Sequence, residues 1–378
     1  MTYLDYAAAA PIRKEVLKEM KDTEKYFANP SSRHEEGRKA KELLENTREK
    51  IKKILNADTG KIIFTSSGTE SINLAIKGVA FANKNKGNHI ITSKVEHKAV
   101  LETCKYLEQK GFSVTYLEVD KYGFVDPKNV EKAITPQTIL ISIMYANNEV
   151  GTIQPITEIA AIAKKKKVLF HTDACQAGNL DLNTQNIGVD LLTLNSNKIY
   201  GPKGAGLLYV KEGIRIEPLI HGGGQEFGLR SGTENIMTIR GFGKALELAQ
   251  EEKETENKRL QELRDYFITE VKERIPDSVL NGHPFKRLAN NAHLSFTGLE
   301  AETVLAYLNQ KGIYASVGSA CTANQIEISP VLKAMNVPEQ IARGSIRFSL
   351  GKETKKRDID KVVRVLMEII ASLQRLSL

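Results

Sequence analysis

Asn195-Ser196-Asn197-Lys198-Ile199-Tyr200-Gly201-Pro202-Lys203-Gly204 lies between two short apolar runs. Asp190-Leu191-Leu192-Thr193-Leu194 leads in, and Gly206-Leu207-Leu208-Tyr209-Val210 leads out. Runs of this length, punctuated by Gly and Pro, read as buried strands joined by a turn. Lys198 therefore sits at the mouth of a strand, on backbone held by small and rigid residues. Partial desolvation there favours amine over ammonium. An amine is what a Schiff base with a carbonyl requires. On these ten residues alone, a solvated loop lysine is the alternative.

Working upstream, the same strand-then-turn pattern recurs. Ile62-Ile63-Phe64 runs into Thr65-Ser66-Ser67-Gly68-Thr69-Glu70-Ser71 and then a helical stretch, Ile72 to Ala80. Free N–H groups at that helix start suit a phosphate, with Gly68 permitting close approach and Thr69 offering a hydroxyl. A plain helix cap fits the same residues. His89 to Thr92 is a further strand, ending at Glu96-His97-Lys98; Ser113 to Val119 and Thr138 to Ile143 follow. Asn147 and Asn148 lie beyond the last of these, where open α/β sheets place ligand groups. Val168 to His171 then leads into Thr172-Asp173-Ala174-Cys175-Gln176. One strand and one crossover separate Asp173 from Lys198, so both reach one edge of a parallel sheet. An acid facing a pyridinium nitrogen and a Schiff-base lysine are a protein's main handles on pyridoxal phosphate. Asp173 as a helix cap, and Cys175 as small buried filler, are the plainer readings. The alternation predicts an α/β fold, a mostly parallel sheet in three layers. No G-x-G-x-x-G fingerprint is present, which argues against a nicotinamide enzyme.

Downstream, His221 to Asn235 is a glycine-rich polar turn containing Thr233. Ile239 to Arg274 reads as a long charged helical region. From about Pro276 the chain carries its own strand and helix signals. The expected division is a large domain over 12–255, and a smaller α/β domain formed by 1–11 and 256–378. In the smaller part Cys321 sits among small polar residues, which reads as an exposed loop thiol. Arg347, in a short strand, suits either a carboxylate clamp or an ion pair.

Composition bounds the class. The chain has 378 residues, 41% hydrophobic and 26% charged, which is ordinary for a globular protein. No apolar stretch approaches a membrane span, so no membrane association is expected. Three cysteines form no disulfide framework, and the N-terminus shows no export signal, so a reducing cytoplasmic setting is expected. The net charge of +8 reads as lysines spread over solvated helix faces, with encounter of an acidic partner or tRNA as the alternative. Its lysine runs lack interleaved aromatics, so no stable direct nucleic-acid binding is expected.

Ten short segments, in order, resemble one family. They are Asp5-Tyr6-Ala7-Ala8, Asn29 to His34, Thr65 to Asn73, Val95-Glu96-His97, Asn147 to Gly151, Thr172 to Gln176, Lys198 to Gly204, Arg230 to Asn235, Gly318-Ser319-Ala320-Cys321 and Arg347 to Gly351. The set is similar to the cysteine desulfurases, class V members of the fold-type-I pyridoxal-phosphate enzymes. The Cys321 stretch resembles the housekeeping iron–sulfur-assembly branch. The resemblance implies that Lys198 carries pyridoxal 5'-phosphate and moves protons at the substrate Cα. Asp173 would pair with the pyridine nitrogen, and His97 would stack on the ring. Asn147 and Gln176 would bond the phenolic oxygen. Gly68, Thr69 and Ser196 would hold the phosphate, with Thr233 lent by the partner of a homodimer. Arg347, with Asn147 and Asn29, would bind the carboxylate of L-cysteine. Cys321 would take the sulfur as a persulfide, pass it to an iron–sulfur scaffold or tRNA thiolation, and serve as a transient cluster ligand. Two positions depart from the family. Asn197 stands where a phosphate-binding His is usual, and Asn195 where Ser or Thr is usual. Weaker cofactor retention or a compensating donor is the expected result. A selenocysteine lyase, an aminotransferase and a cofactor-free scaffold are the other functions these residues leave open.

Overall fold

The computed structural model describes residues 1–57, 59–318 and 328–376. Cys321 and the roles expected of it lie outside the described residues.

In chain order the strands are β1 (Thr2–Tyr3), β2 (Lys61–Thr65), β3 (His89–Ser93), β4 (Ser113–Leu117), β5 (Thr138–Ser142), β6 (Leu169–Asp173), β7 (Leu191–Asn195), β8 (Gly206–Val210), β9 (Ser278–Asn281), β10 (Asn291–Phe296), β11 (Ile313–Tyr314) and β12 (Ser345–Ser349). Seven form one sheet in the order β2-β8-β7-β6-β5-β3-β4. The pairings β7–β6, β6–β5, β5–β3 and β3–β4 are parallel. Only β8 runs against both of its neighbours. The expectation of a mostly parallel sheet is met.

Neighbouring side chains on a strand point to opposite faces, so adjacent apolar residues serve two cores. Ile63, Ile90, Leu140, Leu191 and Leu208 pack with the helices Gly68–Ala82 and Lys98–Glu108. Ile62, Ile91, Ile141, Leu192 and Leu207 pack with Glu35–Leu55, Ile156–Lys166 and Ile236–Glu251. This two-sided burial is why these strands read as unbroken apolar runs. The layering is helix, sheet, helix.

A second sheet, β12-β10-β9, is antiparallel. It packs with the helices Lys253–Arg274 and Lys356–Leu376 around a separate core that includes Phe267, Leu294, Phe348 and Leu366. The expected single helical region from Ile239 to Arg274 is instead two helices meeting at Glu252. Arg13 and Lys352 both grip the Glu252 carboxylate, which fixes the corner. The first residues form part of a third, two-stranded sheet and reach the second. β1 pairs with β11, and Asp5 forms an isolated bridge to Ser349 of β12. No helix among the described residues is long and apolar enough to cross a membrane.

Candidate active site

The strands β7, β6, β5 and β3 lie side by side and parallel, so their C-terminal ends share one edge. That edge receives Lys198 after β7, Asp173 at the end of β6, Asn147 after β5 and His97 after β3. Strand β3 has β4 on one side and β5 on the other, so the winding reverses there. Such a reversal opens a crevice beyond the carboxyl ends.

Lys198 ends a 3-10 turn, Ser196–Lys198, and its Nζ donates to Ala8 O. Burial pushes its pKa down; Cys175 opposes, Arg347 adds to the fall, and Asp5 and Asp173 oppose it. The amine is thereby made accessible, which answers the requirement read from the sequence. Asp173 is 7% exposed, and its Oδ1 accepts from Cys175 N at 2.9 Å. It therefore does cap the turn that follows β6, while its charge also reaches Lys198 and His97.

His97 caps the helix Lys98–Glu108, its Nδ1 accepting from Ala99 N at 3.1 Å. That bond assigns the neutral ring's proton to Nε2. Burial lowers the His97 pKa; Asp173 opposes, and Lys198 and Lys98 reinforce. Asn147 is fully buried. Its Nδ2 donates to Val95 O at 2.9 Å and approaches Met144 Sδ at 3.5 Å. Its Oδ1 accepts from the backbone of Glu149 and Val150. Gln176 Nε2 donates to Ala7 O at 3.0 Å.

At the helix Gly68–Ala82, Ser67 caps Glu70 N at 3.2 Å, so the plain cap is present. The space beside it is tight. A Cβ added at Gly68 would lie 2.6 Å from Cys175 Sγ and 3.4 Å from Asn195 Cβ. Asn195 thus flanks this helix N-terminus, and Thr69 is exposed on it. Ser196 Oγ, Asn197 Oδ1 and Thr172 Oγ1 are buried without a hydrogen-bond partner among the described residues. Ser196 Oγ lies against Gly201, where a Cβ would come within 2.2 Å. Orphaned buried polar atoms cost about 1–3 kcal/mol each, and a bound polar group removes that cost. A glycine cradle, a helix N-terminus and orphaned polar groups beside an amine fit a phosphorylated aldehyde such as pyridoxal 5'-phosphate.

Arg347 is 2% exposed in β12. Its Nη1 donates to Asn148 O at 3.0 Å, and its Nη2 pairs with Asp5 at 2.8 Å. Thr233 and Asn29 are exposed. Asn29 Oδ1 accepts from Ser31 N, closing its own turn. Cys175, read as filler, lies against the Gly68 cradle. Burial, Asp173 and its hydrogen bond to that carboxylate hold its pKa well above the ordinary range, against Lys198. It remains a thiol. Sequence reasoning missed the part of Ala7 and Ala8, whose carbonyls meet Gln176 and Lys198. Backbone acceptors leave no side-chain signature.

A cleft lined by Cys175, Gln176, Lys198 and Tyr200 faces Asn257 and Asn290 across the boundary between the two cores. A roomier cavity of about 740 Å³, lined by Tyr3, Lys203 and Glu353 among others, shares only Tyr6 with it. That volume holds none of the strand-end residues, so size does not mark the site here. Among the described residues, no group of three or more His, Cys, Asp or Glu is placed to hold a metal ion.

Comparison with known proteins agrees with this geometry. The family model described as aminotransferase class-V matches residues 2–362. The chain belongs to the class V aminotransferase family. Within that family it groups with the cysteine desulfurases. It is 54% identical to a protein named Cysteine desulfurase IscS from Dictyoglomus turgidum, over 99% of this chain and 96% of that one. Among solved structures, a NifS-like protein superposes with a TM-score of 0.92 at 38% identity, covering 98% and 99% of the two chains. A structure described as SspA in complex with cysteine gives 0.79 at 38% identity, covering 93% and 99%. For this class V chain, the shared edge of β7, β6, β5 and β3 is the candidate active site.

Proposed function

We propose that this chain is a pyridoxal-phosphate-dependent cysteine desulfurase, converting L-cysteine to L-alanine and carrying the released sulfur on Cys321. The observation that carries the reading is that Lys198, Asp173 and His97 share one sheet edge, at the ends of β7, β6 and β3, beside orphaned buried polar atoms. Family membership and a relative with cysteine bound support it.

Gly68, Thr69, Asn195, Ser196 and Asn197 would hold the phosphate, and Asp173 the pyridine nitrogen. The bound cofactor supplies an electron sink for the substrate Cα. Lys198, whose pKa burial pushes down toward the amine, takes and returns the Cα proton. His97 would cover the ring and present Nε2–H, while Asn147 and Gln176 would border the phenolic oxygen. Arg347 turns its guanidinium from Asp5 to the substrate carboxylate, with Asn147 and Asn29 as neighbours. The Cys321 thiolate attacks the substrate sulfur. An S–S bond forms as the C–S bond breaks; the electron pair stays with carbon, is protonated, and leaves alanine.

Several finer points belong to the same proposal. The enzyme is a homodimer in which Thr233 completes the partner's phosphate site. It acts in the cytoplasm and hands sulfur to an iron–sulfur scaffold protein or to tRNA thiolation, with Cys321 as a transient cluster ligand. Residues 12–255 form the cofactor domain, and 1–11 with 256–378 the smaller one.

The test is product analysis. Purified protein with L-cysteine and a reductant should release alanine and sulfide in equal amounts. Cys321→Ala should keep the visible absorption band of the bound cofactor and lose sulfide release by about 10²-fold or more. Full activity of Cys321→Ala would exclude the persulfide route.

A further inference from the structure

Beneath the site lies a buried polar cluster that the mechanism above does not use. Glu149 follows β5 and is 2% exposed; His293 of β10 is fully buried. The Glu149 Oε1 and His293 Nε2 atoms stand 3.8 Å apart, and neither has a hydrogen-bond partner among the described residues. His293 is the register partner of Arg347 across β10 and β12. The Arg347 Nε is also without a partner. Arg347 acts on the charge of both: it opposes the burial-driven rise at Glu149 and deepens the burial-driven fall at His293.

Glu149 also touches both borders of residues 319–327. The Ser329 hydroxyl lies near enough to its carboxyl to pull the Glu149 pKa down against the rise from burial. On the other border, a Cβ added at Gly318 would fall 2.1 Å from Glu149 Cγ and Cδ and 2.3 Å from Oε1. Gly318 has no left-handed backbone angle, and the three nearest atoms a Cβ would meet there all belong to this side chain. The carboxyl is also anchored from behind, because Glu149 N donates to Asn147 Oδ1 and Glu149 O accepts from Asn291 Nδ2. One side chain thus joins the two chain segments that flank Cys321 to the strand carrying Arg347.

We propose that Glu149 is a positioning residue for sulfur transfer: its carboxyl sets Gly318 and Ser329 in register with His293 and Arg347. The proposal rests on the reading that Cys321 takes the sulfur and Arg347 holds the substrate carboxylate. Misplacement of a reacting group by about 1 Å costs up to 10²-fold in rate, whereas substrate binding through Arg347 need not change. The signature is therefore a split between kcat and binding.

Three single variants and one double variant of the holoenzyme test it. Glu149→Ala should lower kcat at least about tenfold, while the L-cysteine concentration that half-saturates the cofactor's spectral change moves less than about threefold. Glu149→Gln, which keeps the shape, should retain kcat within about threefold. Gly318→Ala pushes a Cβ onto Glu149 and should reproduce the Glu149→Ala split. The double variant, with space restored, should be no slower than Glu149→Ala alone, the non-additivity expected of residues in contact. A readout independent of turnover is alkylation of Cys321 by iodoacetamide in cofactor-free protein, followed on its peptide. Glu149→Ala should raise that rate at least about threefold. Parallel loss of kcat and binding, multiplicative single effects, or an unchanged alkylation rate would each overturn the proposal. A fully active Cys321→Ala would overturn the parent reading and this one with it. An inactive Cys321→Ala beside a normal Glu149→Ala overturns this one alone. If Glu149→Ala does not fold, Gly318→Ala decides.

Discussion

Two polar regions of the large sheet meet at adjacent residues of β6 and differ in one respect. In the interior, His171 links three neighbouring strands: Nδ1 meets Ser142 Oγ at 2.9 Å, and Nε2 meets Thr193 Oγ1 at 3.0 Å. Every ring nitrogen is used. At the mouth, Thr172, Ser196 and Asn197 keep buried polar atoms with no partner, and His97 has only Nδ1 engaged. The interior ladder is closed; the mouth is unfinished. Burial and polarity are common to both, so neither alone marks a site. Spare hydrogen-bonding capacity does.

The comparison can be broken at its strongest point by Lys198→Ala. The cofactor's visible band and alanine formation should both fall, the latter by about 10³-fold, with folding intact by circular dichroism. Activity within tenfold of wild type would remove the mouth from the chemistry.

The closed ladder makes the opposite prediction, on stability rather than turnover. Burial lowers the His171 pKa to about 4. The unfolded chain, with an ordinary imidazole, takes up a proton at higher pH than the fold does. This stabilising contribution is complete above about pH 6.5 and drains away as pH falls toward 4. Between pH 7 and pH 5, urea unfolding should show a loss about 2 kcal/mol larger in wild type than in His171→Gln. Equal losses would mean that His171 is not held neutral.

The smallest effect sharpens the contrast. Ser196→Ala should weaken pyridoxal 5'-phosphate binding about five- to tenfold, read by titrating cofactor-free protein. Its cofactor-free melting temperature should not fall, because the hydroxyl has no protein partner to lose. A drop in melting temperature with unchanged affinity would place Ser196 in the closed class.

Most of the large sheet was legible because its strands are short apolar runs cut by Gly, Pro or Asn, each followed by a helical period. The residues at the strand mouths were legible for the same reason: once β6 and β7 are read as parallel neighbours, Asp173 and Lys198 must share an edge. The antiparallel β8 was not, since five apolar residues carry no direction. The break at Glu252 was hidden because Arg13 and Lys352, far away in sequence, hold it. The Glu149–His293 pair was equally invisible. Glu149 lies in an Asn-rich turn and His293 in an apolar strand, and only the packing of one sheet against the other brings them together.

The opening residues thread through the finished site. Ala8 O meets the Lys198 amine, Asp5 pairs with Arg347, Ala7 N donates to Ser349 Oγ, and Ser349 N donates to Leu4 O. On a ribosome those residues emerge long before their partners in β12, which lie 342 residues further along for both Ala7–Ser349 and Asp5–Arg347. The large sheet can assemble during translation, but the pocket closes only when Leu4 to Ala7 find β12. Such far-separated contacts slow folding. A nascent chain stalled before Ser345 should therefore hold most of its architecture and none of its chemistry.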